Sequence, residues 1–131
     1  MAKILVIEDS SAITKIIKAM LIRDGHTTLS TGDGPTGINI ARAESPDLMI
    51  LDLDLGTLSI PGEQVAQYMQ QDSALSSIPI IVVTANEDRE METMLLKFSN
   101  VHFYLHKPIN QGELRSRIRE VLSDEDSPII S

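Results

Sequence analysis

Six side chains able to do chemistry stand at or just past the ends of short apolar runs in this sequence. Glu8 and Asp9 follow Ile4-Leu5-Val6-Ile7, and Asp52 follows Leu48-Met49-Ile50-Leu51 with Asp54 two residues on. Thr84 closes Ile80-Ile81-Val82-Val83, and Lys107 follows Phe103-Tyr104-Leu105-His106. If the fold gathers these ends, three or four carboxylates meet one hydroxyl and one ammonium. Converging carboxylates repel one another and raise at least one pKa unless a cation stands among them. Mg²⁺ suits such a place, because it takes one or two carboxylates, a carbonyl and retained waters, often with a phosphate completing its shell. A carboxylate can itself attack phosphorus to give an aspartyl phosphate. That transfer asks mainly for positioning and for cancellation of charge on the equatorial oxygens, which Mg²⁺ and Lys107 could share.

Taken singly, each piece is ordinary. An acidic pair after a strand is commonly a solvated turn or a helix cap, threonine favours strands, and Lys-Pro is a frequent loop dipeptide. Their joint occurrence carries weight only if an architecture brings the ends together, and the chain spells one out. Five apolar runs, Lys3 to Ile7, His26 to Thr31, Asp47 to Leu51, Pro79 to Thr84 and His102 to Lys107, alternate with five helical patterns. Ile13, Ile16, Ile17, Met20 and Leu21 mark the first helix, with Gly25 as its stop. Pro35 opens the second, which turns Ile38 and Ala41 inward. Val65, Tyr68 and Met69 mark the third, Met91, Met94, Leu95 and Phe98 the fourth, and Leu114, Ile118, Val121 and Leu122 the fifth.

Strict alternation with short connections predicts a parallel sheet with helices on both faces. Runs one, three and four are continuously apolar, as strands buried on both faces must be; runs two and five are mixed, as edges are. Right-handed crossovers then favour the strand order 2-1-3-4-5, a flavodoxin-like doubly wound (βα)5 fold. Ligands bind such sheets beyond the carboxyl ends of the strands, where strands 1 and 3 diverge. Those are the ends that carry the six side chains.

The rest of the composition narrows the class. At 131 residues the chain fits one domain, expected over residues 1–123, with 124–131 an acidic tail or the start of a linker. Without cysteine there is no disulfide framework and no thiolate metal site. A formal net charge of −8 argues against nonspecific nucleic-acid binding. No apolar run is long enough to span a bilayer and no leader pattern opens the sequence, which fits the cytoplasm. Neither GxGxxG nor GxxxxGK[ST] occurs. His102 and His106, on an edge run, are expected to be solvated rather than metal-bound.

The ordered set ILVIEDS, SPDLMILDLDL, IPIIVVTA and FYLHKP resembles the receiver domains of bacterial two-component response regulators, over roughly residues 2 to 122. The resemblance implies that Asp52 is the phosphoacceptor. It implies that Asp9, Asp52 and the backbone carbonyl of Asp54 ligate Mg²⁺, with Glu8 acting mainly through a bound water. Lys107 is then the lysine on the phosphoryl oxygens, Thr84 the hydroxyl that moves onto the phosphoryl group, and Tyr104 the aromatic that changes rotamer. The Lys107-Pro108 bond is expected to be cis. Such a domain is a phosphoacceptor rather than an enzyme. Its donor is a sensor histidine kinase or a histidine phosphotransfer protein, and its readout is a protein-interaction face of the fourth helix, fifth strand and fifth helix, through which two copies could also pair.

The sequence departs from the family pattern in places. The loop after Asp52, LDLGTLSIPGEQ, lacks the usual proline and runs about two residues longer before Gly62. Ser99-Asn100-Val101 replaces a Gly-Ala pair, with Asn100 expected to supply a left-handed helix stop. Asp54 puts a carboxylate where many relatives carry a neutral side chain. Two alternatives stand beside the main reading: a phosphorylation-independent docking module, and a haloacid-dehalogenase-type phosphohydrolase suggested by Asp52-Leu53-Asp54-Leu55-Gly56-Thr57. The second has an extra Leu55 inside its signature and lacks room for a capping domain.

Overall fold

The computed structural model describes residues 1–56 and 60–126, without the side chains of 124–126. In chain order the elements are β1 (Lys3–Ile7), α1 (Ser11–Arg23), β2 (Thr27–Thr31), α2 (Gly34–Glu44), β3 (Leu48–Leu51), α3 (Gly62–Gln71), β4 (Ile80–Thr84), α4 (Arg89–Leu96), β5 (Val101–His106) and α5 (Gln111–Asp126). All neighbouring strands run parallel, in the order β2-β1-β3-β4-β5. This is the flavodoxin-like order the sequence predicts. Its cause is visible in the burial: β3 and β4 are buried at every residue, whereas β2 keeps each residue at least partly exposed.

Because side chains alternate across a sheet, each central strand feeds two cores. Leu5, Ile7, Met49, Leu51, Ile80 and Val82 face α2, α3 and α4, meeting Ile38, Val65, Met69 and Leu95. Ile4, Val6, Leu48, Ile50, Ile81 and Val83 face α1 and α5, meeting Ile17, Met20, Leu21, Leu114 and Ile118. The helix ends follow local chemistry. Ser10 caps α1 by accepting the Ile13 amide, and Gly25, at φ +89°, takes the chain out of that helix where a side chain would be strained. Pro35 lies in the first turn of α2, which Asp33 caps through the Thr36 amide.

Some expectations need correction. Ile16, Tyr68 and Met94 have helical spacing but lie on the margins of their apolar stripes, 46%, 46% and 42% exposed. Tyr68 instead lies under the Arg42 guanidinium and accepts a hydrogen bond from it. Asn100 is not a left-handed stop: among the described residues only Ser45, past α2, is a non-glycine at positive φ. Asn100 is buried, and its amide donates to the Ala66 carbonyl of α3 at 3.2 Å. That bond needs the side chain turned inward, while α4 ends through the Lys97 and Phe98 amides returning to Met94 and Leu95. Helix α5 continues to Asp126, into the segment expected to be tail. Residues 127–131 of that tail, and residues 57–59 of the loop after Asp52, lie outside the described residues.

Candidate functional site

The parallel register brings the ends of β1, β3, β4 and β5 to one rim. The Asp52 amide donates to the Ile7 carbonyl at 3.0 Å, and the Lys107 amide to the Thr84 carbonyl at 2.9 Å. Side chains far apart in sequence thereby meet. Glu8, Asp9 and Asp52 each offer a carboxylate oxygen, all within 4.8 Å of one another. The Lys107 ammonium reaches into this group, 2.8 Å from Glu8 Oε1 and 2.9 Å from Asp52 Oδ2. Glu8 and Asp52 are buried, 5% and 3% exposed, whereas Asp9 is exposed and faces the mouth.

The electrostatics follow from that placement. Burial pushes the Glu8 carboxyl above its ordinary range; the Lys107 bond and the Ser10 amide oppose this, and the Asp52 charge adds to it. Burial alone would lower the Lys107 ammonium, but its bonds to Glu8 and Asp52 outweigh burial and leave it raised. Lys107 is therefore held charged. Three carboxylates against one ammonium leave two negative charges over when all are ionised. A hard divalent cation fits that remainder and that donor set, which is all oxygen and open on the Asp9 side.

Backbone geometry keeps the rim in place. The Asp54 amide donates to Asp52 Oδ1 at 3.2 Å, and the Asp54 residue is exposed. Gly62 starts α3 directly against β3: a Cβ there would lie 2.2 Å from the Asp52 carbonyl oxygen. Only glycine lets α3 approach so closely. Gly56, at φ +85°, passes beside Asp9; a Cβ there would stand in ordinary contact, 3.6 Å from Asp9 Oδ2, so it is the positive φ that favours glycine.

Thr84 is fully buried, its Oγ1 accepting the Asn86 amide at 3.2 Å. Tyr104 is buried, its hydroxyl donating to the Asn86 carbonyl at 3.3 Å. Burial, with the Glu92 and Asp88 charges, pushes that phenol up to about 12, so it remains a donor. The Lys107-Pro108 peptide bond is cis. His102 and His106 are exposed; His106 Nε2 lies 3.2 Å from Glu92 Oε1.

The structure thus gathers Glu8, Asp9, Asp52 and Lys107 into one cluster and sets Thr84 and Tyr104 on its β4–β5 flank, joined through Asn86. Sequence reading missed one pairing, between two residues it had named, and two participants. Glu8 pairs directly with Lys107, which no spacing discloses. Gly62 is needed for its lack of a side chain. Asn86 had a usable signal in Asn86-Glu87-Asp88 after Thr84, two residues that favour side-chain turns two positions apart.

A family model described as the response regulator receiver domain matches residues 4–119. The chain is 33% identical to Protein PilH of Pseudomonas aeruginosa over 94% of its own length and 99% of that protein. It is 30% identical to the alkaline phosphatase synthesis transcriptional regulatory protein PhoP of Bacillus subtilis, over 92% of this chain but 48% of PhoP. The chain thus spans nearly all of one relative and about half of others. Among solved structures, a CheY-like receiver domain from Methanospirillum hungatei superposes with a TM-score of 0.86 at 21% identity, covering 96% of this chain and 97% of that one. The receiver domain of a sensor histidine kinase from Pseudomonas aeruginosa, solved with a magnesium ion coordinated in its active-site cleft, gives 0.81 at 24% identity, covering 93% and 98%.

Proposed function

The chain belongs to the response regulator receiver domain family, and from that premise we propose that Asp52 accepts a phosphoryl group in a Mg²⁺-dependent reaction. The observation that carries this reading is the Lys107 ammonium held 2.9 Å from Asp52 Oδ2 beside the converging Glu8 and Asp9 carboxylates. Asp9, Asp52 and the Asp54 carbonyl would hold the ion, with Glu8 alongside. The ion would supply charge neutralisation for the nucleophile and the transferring group.

The chain's own residues do the rest. An Asp52 carboxylate oxygen attacks phosphorus, the bond from phosphorus to the donor's imidazole nitrogen breaks, and that nitrogen keeps the electron pair until it is protonated. Lys107, already charged and already at Asp52, meets the new oxygens without moving far. Its release from Asp52 would leave its bond to Glu8 in place. The Thr84 hydroxyl turns toward the phosphoryl group, and Tyr104 follows.

The donor is a sensor histidine kinase or a histidine phosphotransfer protein, and the domain works in the cytoplasm. The surface that answers is the face of α4, β5 and α5, where a partner or a second copy would dock. We place the functional unit at residues 1–123. The domain assists its own phosphorylation but turns over no external substrate.

Intact mass after incubation with Mg²⁺ and acetyl phosphate tests this reading. One added phosphoryl group is expected in wild type, none in Asp52→Asn and none with EDTA. No adduct in a short time course, with Mg²⁺ binding verified, would favour a phosphorylation-independent docking module.

A further inference from the structure

The hydrogen bonds beyond Thr84 trace a path from the site to the start of α4. Thr84 Oγ1 accepts the Asn86 amide at 3.2 Å. The Asn86 carbonyl accepts the Tyr104 hydroxyl at 3.3 Å. Asn86 Oδ1 accepts the Asp88 amide at 2.8 Å. Asp88 in turn caps α4, its Oδ1 accepting the Glu90 and Met91 amides at 2.9 and 3.3 Å. One residue thus ties together the site hydroxyl, the β5 aromatic and the cap of α4, each through a different atom.

We infer that Asn86 is a positioning residue that sets the first turn of α4 according to where the Thr84 hydroxyl points, through a relay from Thr84 to Asn86 to Asp88. The trigger rests on the phosphorylation of Asp52 proposed above; the wiring does not. When the Thr84 hydroxyl turns to a phosphoryl group, the half-buried Asn86 amide loses its acceptor. An amide donor left unpaired away from water is costly, so this peptide reorients to find another. The Asn86 carbonyl and side chain belong to the same residue, so the Tyr104 bond and the Asp88 bond are disturbed together. The chemistry of asparagine suits this part: its short side chain reaches the amide two residues on. Alanine would keep the backbone bonds and break the relay, whereas aspartate would keep the acceptor.

The test is amide hydrogen exchange at Glu90 and Met91 in the full chain, with no phosphodonor present. Loss of one cap hydrogen bond corresponds to about a fivefold change in local opening. Thr84→Val and Asn86→Ala should each speed exchange at both amides by about that factor. The double variant should be no faster than either single one, because both break the same path. Thr84→Ser and Asn86→Asp, which keep the accepting oxygens, should exchange like wild type and so separate the relay from a general loss of packing. Unchanged exchange in Thr84→Val, or effects that multiply in the double variant, would overturn the relay. Intact mass with acetyl phosphate and Mg²⁺ on the same proteins reads the phosphorylation separately. A wild type that takes up no phosphoryl group would remove the trigger, while the exchange rates still decide the wiring.

Discussion

Replacing Lys107 by methionine should strip the carboxylate cluster of its ammonium, and the cost can be worked from its geometry. The Lys107 side chain is 15% exposed, and its two carboxylate partners, at 2.8 and 2.9 Å, are 3% and 4% exposed. Methionine keeps the apolar stem and removes the ammonium, leaving two buried carboxylates facing each other. Breaking a buried pair on one side costs about 3–5 kcal/mol. Partial access of solvent to Lys107 favours the lower figure, about 3 kcal/mol. For a chain of this size that corresponds to about 10 °C in melting temperature. The assay is thermal unfolding followed by circular dichroism, with EDTA and then with Mg²⁺. Wild type should melt about 10 °C above Lys107→Met in EDTA. Adding Mg²⁺ should raise the variant more than wild type, because a divalent ion then takes over the missing charge. At a hundred times its dissociation constant, an ion bound only by the native state adds about 2.7 kcal/mol. A variant melting within about 2 °C of wild type in EDTA, and gaining no more from Mg²⁺, would refute the cluster energetics.

Three further perturbations test other parts of the molecule. Gly62→Ala drives a Cβ to 2.2 Å from the Asp52 carbonyl, so it should cost at least about 2 kcal/mol and weaken Mg²⁺ binding; a melt like wild type would mean that α3 can retreat freely. His26 accepts the Ala2 amide at Nδ1, 3.1 Å away, and burial, with the N-terminal charge, holds its pKa below the ordinary value. A depressed histidine supports the fold fully above its unfolded pKa of about 6.5 and progressively less below it. Wild type should accordingly lose more stability in urea between pH 7.5 and 5.5 than His26→Gln, and equal losses would dismiss the contact. Asp54 is exposed two residues past Asp52, with its amide on Asp52 Oδ1, so Asp54→Asn should speed loss of the phosphoryl group about fivefold by easing approach of hydroxide-like water. A slower loss would make Asp54 the group that orients that water, and an unchanged rate would remove it from the chemistry.

Much of this was legible in the residues, for physical reasons that can be named. Leu48-Met49-Ile50-Leu51 and Ile80-Ile81-Val82-Val83 admit burial on both sides, so their central places in the sheet followed. Once the order was set, the rule that parallel strands point their carboxyl ends the same way brought Glu8, Asp52, Thr84 and Lys107 to one rim. What escaped was the choice among partners that only packing makes. Nothing local to Glu8 says that Lys107 will reach it, and nothing local to Asn100 says that its amide will find the Ala66 carbonyl. Helical spacing marked Ile16, Tyr68 and Met94 because a stripe has margins, and spacing does not separate its margin from its centre. Asn86 was within reach, since a residue with a short amide after Thr84 and an aspartate two further on form a recognisable pair of turns.

The cluster joins residues just past the ends of the first, third and fifth strands, with Asp52 and Lys107 separated by 55 in sequence. A chain growing from its N-terminus therefore lacks the ammonium of the site until β5 has emerged and docked beside β4. An ion bound only by the folded state would hold the finished fold without guiding the early stages of collapse, since the unfolded chain offers scattered carboxylates in place of a cradle. Contacts between such distant positions also form slowly, because the loops between them must close first. Competence to signal would thus double as a check on complete synthesis: a truncated product lacking the last strand would hold Asp52 without the lysine that serves it.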